Sequence, residues 1–390
     1  MSAPRERPGP GPHGVERGAR VALVRARYNP SGGAERFVQG AIEAMRAQGA
    51  SITIVTRSWP GHDGSALVLD PFHVGSLWRD WGFARAACGA LAGRRFDLVQ
   101  SHERITCCDV YRAGDGVHAQ WLEERARIQG PVSRLATRLN PHHRYLLAAE
   151  RALFTGPRLK AVICNSEMVR REIARRFGTD DAKLVLIRNA VDPAVFHPGL
   201  RAEMHDAVRQ QLAIPRLAKV VLHVGNGFER KGVRQLLEAV ARARSETWAI
   251  VAGRDKRGAR YAALARTLGI ADRVRFVGAV SDVRPYYAAS DVFALATLYD
   301  PQPNAMLEAM SCGLPVLTTR RCGGAELVEE GVSGYLRDAL DTIGLAEALE
   351  RMDLAHARAM GEAARAAVAP YTPQSMAREY LALYARLLNR

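Results

Sequence analysis

Two carboxylates stand eight residues apart in the segment YDPQPNAMLEAMSCGLPVL, which runs from Tyr299 to Leu317. Asp300 lies in a predicted loop, whereas Glu308 lies in the predicted helix that follows it. An ionised carboxylate accepts hydrogen bonds, so one acid suits the paired hydroxyl groups of a ribose and the other suits those of a second sugar. The same two acids would also fit an ordinary helix N-terminus, where negative charge is favourable.

The helix start between the two acids has the properties of an anion site. Pro303 ends any earlier helix, and Asn304 is a favourable N-cap residue. The backbone amides of Ala305, Met306 and Leu307 would then have no intrahelical acceptor and would lie at the positive end of the helix dipole. We therefore predict that this helix start binds a diphosphate.

Cations for the same ligand stand in another predicted loop, which also opens a helix. Gly225 and Asn226 begin this loop, and Arg230 and Lys231 close it. The two cations would neutralise the charge that develops on a diphosphate leaving group. A solvated basic turn is the alternative for this pair.

A glycine-rich loop lies near the start of the chain. Ser31, Gly32 and Gly33 form a tight turn whose backbone can approach a ligand before a predicted helix. The loop lacks the G-x-G-x-x-G pattern, which argues against a dinucleotide.

Alternating strand-like and helix-like segments would position these loops. Strand-like runs begin near residues 20, 51, 96, 160 and 183, and they resume after a Pro-rich junction at 191–201. This alternation predicts βαβ units and parallel sheets. We therefore predict an α/β protein with two Rossmann-like, doubly wound domains that face a cleft. Open sheets of this kind bind ligands beyond the carboxyl ends of their strands.

The domain boundaries follow from the same pattern. Residues 1–18 are rich in Pro, Gly and Arg, which predicts a disordered tail. Residues 19–195 form the predicted first domain, and residues 196–372 form the second, which ends in a helix near 343–366. Residues 373–390 form a last helix. One possible arrangement is that this helix packs back onto the first domain.

Composition narrows the class of protein. The chain has 390 residues and a formal net charge of +15, which favours an anionic partner such as nucleic acid, lipid or phosphate-bearing substrate. It has neither a signal-peptide core nor the roughly 18 apolar residues of a membrane span. The six cysteines show no zinc spacing, which predicts reduced thiols in a cytosolic protein. Because D-x-D is absent, we predict no metal and no other cofactor.

The acid motif resembles the signature of retaining glycosyltransferases of family 4, which have the GT-B fold. Here it reads Asp300 and Glu308, followed by Ala309-Met310 and then by G-L-P-V at 313–316. The family usually has Glu at the first position. Asp300 keeps the charge but is shorter by one methylene group, which bears on its reach toward a sugar.

Three further motifs match the family. They are R-K-G at 230–232, FVGAV at 276–280, which adds Gly278 to the donor site, and IRNAVD at 187–192. With these motifs the resemblance covers nearly all of residues 20–390. It implies that the second domain binds a nucleotide sugar and that the first binds the acceptor.

The first half is similar to the lipopolysaccharide core branch of the family. Its segment YNPSGGAERF resembles the acceptor loop of that branch, which assigns acceptor binding to Ser31, Gly32, Gly33, Glu35 and Arg36. The other similar segments are CDVYRAGDGVH at 108–118, NPHHRYLLAAERALF at 140–154 and AVICNSEMVRREI at 161–173.

A polar group near the reacting carbon is a further expectation from the family. Many members have a His in this loop, and the matching segment here reads Gly114-Asp115-Gly116. We therefore predict that Asp115 takes this role, with His102 and His118 as the competing candidates on the acceptor side. An acid between two glycines is also a common turn residue.

The resemblance implies a mechanism without a strong protein base. A hexose would pass from a nucleotide diphosphate sugar, with UDP favoured, to a lipid-linked saccharide such as the lipopolysaccharide core, with retained configuration. The leaving diphosphate would take the acceptor proton. Arg230, Lys231 and the amides of 305–307 would stabilise the departing charge, while Glu308 holds the ribose and Asp300 holds sugar hydroxyls.

Three alternatives compete with this interpretation. A transferase for capsule or another surface glycan is the nearest, and a nucleotide-sugar epimerase shares the two-domain fold. A nucleic-acid-binding protein is suggested by the charge, but no such motif occurs and no aromatic residues alternate with the basic ones.

A basic segment predicts the cellular location. Between Trp121 and Phe177 there are 12 Arg or Lys against 5 Asp or Glu, with apolar residues between them. This pattern predicts peripheral docking, from the cytoplasm, on the anionic inner face of the bacterial inner membrane. Ordinary solvated helices could have the same composition.

Overall fold

The computed structural model describes residues 18–27, 46, 49–59 and 66–388. The predicted tail therefore falls outside the described residues, apart from Gly18. The predicted acceptor loop falls outside them as well, with Ser31, Gly32, Gly33, Glu35 and Arg36.

The first half of the chain folds around a parallel seven-stranded sheet. The strand order along the sheet is β3-β2-β1-β4-β5-β6-β7. Its strands are β1 (Arg20–Val24), β2 (Ser51–Thr56), β3 (Ala66–Val68), β4 (Leu98–Ser101), β5 (Val110–Arg112), β6 (Ala161–Cys164) and β7 (Leu184–Leu186).

The second half repeats the plan with a parallel six-stranded sheet. Its order is β10-β9-β8-β11-β12-β13. The strands are β8 (Lys219–Val224), β9 (Thr247–Ala252), β10 (Val274–Gly278), β11 (Val292–Leu295), β12 (Val316–Thr319) and β13 (Gly334–Arg337). The sequence pattern did not predict β3, β5 and β13.

Helices connect the strands and cover both sheets. In chain order, the helices that the structure describes are α1 (Gly75–Ala92), α2 (His118–Ala126), α3 (Pro131–Leu139), α4 (Pro141–Phe154), α5 (Glu167–Phe177), α6 (Gly199–Gln211), α7 (Phe228–Lys231), α8 (Val233–Arg242), α9 (Gly258–Thr267), α10 (Arg284–Ala288), α11 (Asn304–Ser311), α12 (Thr342–Arg351), α13 (Leu354–Val368) and α14 (Pro373–Leu388). None of these helices is both long and apolar enough to cross a membrane.

Strands buried on both faces explain the continuous apolar runs in the sequence. In β8, Val220 and Leu222 belong to one hydrophobic core, and Val221 belongs to the core on the opposite face. In β1, Leu23 and Val24 are divided between two cores in the same way. Such strands are typical of sheets with helices on both sides, so the predicted doubly wound architecture is confirmed.

The last helix crosses back to the first half. Its buried residues join the core formed by β1, β2 and β4. These residues are Met376, Tyr380, Leu383, Tyr384 and Leu387, which lie on one face of α14. The structure therefore shows that the last helix packs on the first domain.

Two sequence expectations need correction. Cys88 and Cys107 form a disulfide, because α1 and the loop before β5 bring their Cα atoms to 5.7 Å, and this distance suits a disulfide. The predicted helix near 343–366 is divided into α12 and α13. Asp353 caps the second of them by accepting hydrogen bonds from the amides of Ala355 and His356 at 2.9 Å.

Candidate active site

A cavity of about 210 Å³ lies between the two halves of the molecule. It opens at the carboxyl ends of the strands, where β1 adjoins β4 and β8 adjoins β11. Both places are switch points of the strand order, where open α/β sheets bind ligands. The lining residues are Arg25, His102, Arg112, Gly114, Asp115 and Asn189 from the first half, and Lys231, Asp300, Gln302, Pro303 and Asn304 from the second.

Asp300 and Lys231 form an ion pair inside this cavity. The Lys231 ammonium donates to Oδ2 of Asp300, and the Asp300 residue is only 3% exposed. The backbone of Asp300 is fixed as well, since its amide donates to the Arg321 carbonyl at 3.0 Å. A donor sugar that reaches Asp300 would therefore meet a carboxylate already oriented by a cation.

Arg230 is held by backbone groups at the end of β11. Its Nε atom donates to the Tyr299 carbonyl at 2.9 Å, and its own carbonyl accepts from the Thr297 hydroxyl at 2.8 Å. Gly232 follows the loop with a φ of 73° and lies against the Ala296 carbonyl, where a side chain would clash. Glycine at this position lets the loop that carries Arg230 and Lys231 approach the end of β11.

The helix start near the acids differs in detail from the prediction. Pro303 occupies the cap position, and Asn304 is the first helical residue. The Asn304 side chain accepts from Asn189 Nδ2 at 2.8 Å instead of capping the helix. The Met306 amide also has an acceptor, the Pro303 carbonyl at 3.2 Å, because the first turn is tight. The prediction that the Met306 amide is free is therefore wrong.

Glu308 is oriented by a tyrosine that sequence reasoning did not identify. The hydroxyl of Tyr287 lies 2.8 Å from Oε2 of Glu308 and 3.0 Å from the Ala305 carbonyl. Burial raises the pKa of Tyr287 well above its usual value, and the neighbouring Glu308 carboxylate raises it further. The hydroxyl therefore keeps its proton and acts as a donor to Glu308.

The predicted glycine and asparagine contacts of the donor site lie at neighbouring strand ends. Gly225 and Asn226 follow β8, and Gly278 ends β10. The side-chain oxygen of Asn226 accepts from the Arg254 amide at 2.8 Å, and the Gly253 amide donates to the Gly278 carbonyl at 2.7 Å. These three residues shape one edge of the sheet but do not line the 210 Å³ cavity.

Asp115 faces the cavity from the first half and is exposed there. Desolvation would raise its pKa, but positive charge around it outweighs that effect and lowers the pKa below its usual value. The responsible side chains, in order of effect, are Arg104, Arg25, Arg230 and Arg112. Asp115 is therefore an anion at neutral pH, opposite Asp300 and Lys231.

The two histidine candidates have different surroundings. His102 lines the cavity, and its Nε2 lies 3.2 Å from the side-chain nitrogen of Gln100. Burial, followed by the charges of Arg112 and Arg25, holds the His102 pKa well below its usual value, so the ring stays neutral. His118 lies outside the cavity, with its Nε2 3.1 Å from Nδ1 of His143. The structure thus places His102, but not His118, in the cavity that Asp115 also lines.

Asn189 connects the first half to the donor side of the site. Its amide nitrogen Nδ2 donates to Asn304 at 2.8 Å and to the Gln302 carbonyl at 2.9 Å. Its oxygen accepts from Arg112 at 2.6 Å, and Arg112 also donates to the Tyr380 hydroxyl of α14 at 2.9 Å. Asn189 belongs to the IRNAVD motif, so this motif could have identified Asn189 as a site residue from the sequence.

These residues together suit an anionic sugar donor. Arg230 and Lys231 supply positive charge beside a helix start, and Asp300 and Glu308 supply acceptors for hydroxyl groups. Asp115 and His102 line the cavity from the first half. The arrangement can therefore bind a diphosphate and orient two sugars on either side of it.

Two family models match this chain. The model described as Glycosyltransferase Family 4 matches residues 31–195, and the model described as Glycosyl transferases group 1 matches residues 218–353. The first match coincides with the half that holds Asp115. The second coincides with the half that holds both acids and both cations of the predicted donor site.

Characterised proteins from lipopolysaccharide synthesis are similar in sequence. Lipopolysaccharide glucosyltransferase WaaG of Escherichia coli (strain K12) is 28% identical over 322 residues, which are 80% of this chain and 84% of that protein. The lipopolysaccharide core biosynthesis glycosyltransferase LpsE of Rhizobium meliloti (strain 1021) is 37% identical over 145 residues, which are 37% of this chain and 42% of LpsE.

Solved structures agree with this similarity. The crystal structure of WaaG superimposes with a TM-score of 0.77 at 26% identity, covering 92% of this chain and 98% of that one. Anabaena HepE, solved in complex with UDP-glucose, has the same fold, with a TM-score of 0.70 at 20% identity and coverage of 93% and 98%.

Proposed function

The chain belongs to the family 4 glycosyltransferases with the GT-B fold, and from this premise we propose that it transfers a hexose from a UDP-linked sugar to a lipid-linked saccharide of the lipopolysaccharide core. The observation that carries this proposal is the donor site at the ends of β8 and β11. There Asp300, Lys231 and Glu308 surround a helix start. The UDP-glucose complex of HepE and the names of WaaG and LpsE support the choice of donor and acceptor.

The mechanism follows from the charges in the site. Arg230 and Lys231 stabilise the diphosphate as the bond to the sugar breaks, together with the start of α11. Glu308, oriented by Tyr287, accepts hydrogen bonds from the ribose hydroxyls, and Asp300 accepts them from the sugar. The departing phosphate oxygen takes the acceptor proton on the same face of the sugar, which retains the configuration.

This mechanism requires neither a metal ion nor a strong protein base. Lys231 and the helix start supply positive charge to the diphosphate, which a divalent ion would otherwise have to supply. Asp115 lies across the cavity, where its negative charge stabilises the positive charge that develops on the sugar ring. His102 beside it is neutral and offers one nitrogen to an acceptor hydroxyl.

The proposed donor is tested with a panel of nucleotides. UDP and UDP-glucose are expected to raise the melting temperature of the protein by several degrees at concentrations far above Kd, whereas GDP and ADP are not. A lipopolysaccharide core saccharide should then accept labelled glucose, and NMR should show a retained anomeric configuration, with or without EDTA. No shift and no transfer with any nucleotide would contradict the proposal. Conversion of the donor without acceptor would indicate an epimerase instead.

The exposed apolar face of α3 supports the proposal of a lipid-linked acceptor. None of the residues of α3 is buried, although the helix carries Val132, Leu135 and Leu139 at the spacing of one face. These three side chains are 84%, 57% and 64% exposed. Arg134 and Arg138 lie on the same helix, within the basic segment found in the sequence. An apolar face with flanking arginines suits an anionic lipid surface, and we propose that α3 docks there from the cytoplasm.

Replacing Val132, Leu135 and Leu139 with serine should weaken binding to vesicles by about tenfold or more, because each apolar side chain contributes on the order of 1 kcal/mol. Binding is measured by co-sedimentation with phosphatidylcholine vesicles, with and without phosphatidylglycerol. The matched control is the triple serine variant at Leu217, Val332 and Leu354, exposed apolar residues of the second half. Equal losses of binding in both variants would rule out α3 as the docking element. Binding that does not depend on phosphatidylglycerol would rule out docking on an anionic surface.

A further inference from the structure

Tyr299 extends from the second half of the chain into the core of the first. It precedes Asp300 in the loop after β11, and its side chain is fully buried. The core that it joins includes Tyr111, Val117 and Val169. Among the described residues, Tyr299 is the one buried member of this core that comes from the second half.

The hydroxyl of Tyr299 connects the loops of the two opposing acids. It accepts a hydrogen bond from the Val117 amide at 2.9 Å and donates one to Oε2 of Glu172 at 2.7 Å. Val117 lies two residues after Asp115, and Tyr299 lies one residue before Asp300. One hydroxyl group therefore connects the backbone beside Asp115 to the residue before Asp300.

The local backbone is adapted to this contact. Gly116 has a φ of 71°, a conformation that favours glycine, and a side chain there would clash with the Tyr299 hydroxyl. The carbonyl of Tyr299 also accepts from Arg230 at 2.9 Å. Tyr299 is thus in contact with the backbone beside Asp115, with the backbone of Asp300 and with the side chain of Arg230.

Glu172 is the partner of this hydroxyl and lies on α5. Burial raises its pKa to about 7, although the hydrogen bond from Tyr299 and the charges of Arg321, Arg176 and Arg175 lower it. Arg321 approaches from the second half, with its Nη1 4.0 Å from Oε1 of Glu172. Arg321 is shared, because it also pairs with Glu124 at 2.7 Å. The carboxyl group therefore changes its charge near neutral pH inside the contact between the two halves.

We propose that Tyr299 and Glu172 are positioning residues of the transfer reaction, which hold the two halves so that Asp115 faces Asp300 and Arg230 across the donor. This inference rests on the proposed function. Neither side chain lines the cavity, so they act on the orientation of the reacting groups and not on the affinity for the donor. An error of about 1 Å in such an orientation costs about a hundredfold in rate.

Hydrogen exchange at the Val117 amide tests the contact itself, with no reference to activity. In Tyr299→Phe the amide loses its acceptor, and its exchange is expected to become at least about tenfold faster. Tyr261→Phe is the matched control, because Tyr261 is an equally buried tyrosine that packs on Phe228 within the second half. Unchanged exchange at Val117 in Tyr299→Phe would overturn the proposal.

Kinetics test the positioning role in the same variants. Tyr299→Phe is expected to lower kcat by about tenfold to a hundredfold while KM for the UDP sugar changes less than about threefold. Equal kcat in Tyr299→Phe and Tyr261→Phe would overturn the positioning role. If the wild type neither binds UDP nor transfers sugar, the proposed function fails, whereas the exchange experiment still decides whether the contact exists.

The pH dependence separates Glu172 from a merely structural residue. The ionised carboxylate accepts a stronger hydrogen bond from Tyr299 than the neutral acid does, so kcat should rise with pH through about 7. Unfolding free energy should change in the opposite direction. Since burial raises the Glu172 pKa from 4.5 to about 7, the folded state binds an extra proton between about pH 4.5 and 7, and this stability is lost as pH rises across that interval.

Two substitutions at this position give the decisive comparison. Glu172→Gln keeps an acceptor for Tyr299 and should retain kcat within about threefold, but without the step near pH 7. Glu172→Leu lacks the acceptor and should behave like Tyr299→Phe. A pH step that persists in Glu172→Gln would overturn the assignment of the step to Glu172.

Discussion

Replacing Glu308 with alanine is expected to lower sugar transfer and UDP affinity by about a hundredfold or more. The carboxylate stands in the first turns of α11, where Tyr287 orients it from 2.8 Å. A charge-assisted hydrogen bond contributes about 1.5–3 kcal/mol, and a carboxylate can make two of them to the paired hydroxyls of a ribose. Isothermal titration with UDP and initial rates at saturating acceptor measure the two effects.

The fold should tolerate this substitution. In Glu308→Ala the Tyr287 hydroxyl keeps the Ala305 carbonyl as an acceptor at 3.0 Å, so no buried donor is left without a partner. Glu347→Ala is the matched control, because it removes an exposed carboxylate from α12 of the same half. UDP affinity equal to that of the wild type would remove the basis for placing the nucleotide at this helix start.

Replacing Lys231 with methionine should lower kcat by about a hundredfold to a thousandfold and also destabilise the protein. The catalytic loss arises because the leaving diphosphate loses a cation that would stabilise its developing charge. The loss of stability arises because Asp300, which is 3% exposed, is left as a buried carboxylate without its ion pair. Breaking a buried pair in this way costs about 3–5 kcal/mol. Urea unfolding and steady-state kinetics measure the two effects.

A double variant separates the two effects of Lys231. Lys231→Met/Asp300→Leu replaces the buried pair with apolar side chains, so it should recover much of the stability but none of the transfer. Lys256→Met, at an exposed position of the same half, controls for the loss of one positive charge. If the single variant Lys231→Met were as stable as the wild type, the ion pair with Lys231 would not be what stabilises the buried Asp300 carboxylate.

Local sequence patterns were sufficient for the architecture and for much of the donor site. The apolar runs of β1, β8 and β11 are long enough to predict strands, and the loops that follow them carry unusual charged residues. Asp300, Lys231 and Asn304 were identified in this way, and the structure places all three around one cavity.

Contacts between distant segments left no such pattern. Tyr287 and Glu308 are 21 residues apart, and Tyr299 and Glu172 are 127 residues apart, so no period relates them. The disulfide between Cys88 and Cys107 was not predicted for the same reason, because it depends on how α1 packs beside a loop. The tight first turn of α11 was missed as well, since a propensity for capping does not determine which amide finds an acceptor.

The position of α14 has a consequence for the order in which the protein can fold. The core of the first half includes Tyr380, Tyr384 and Leu387, which the ribosome adds only after the second half. The sheet of β1, β2 and β4 therefore keeps an uncovered apolar face while the whole second half is synthesised. The first half therefore cannot complete its core before α14 has been synthesised, which places this step after the synthesis of the second half.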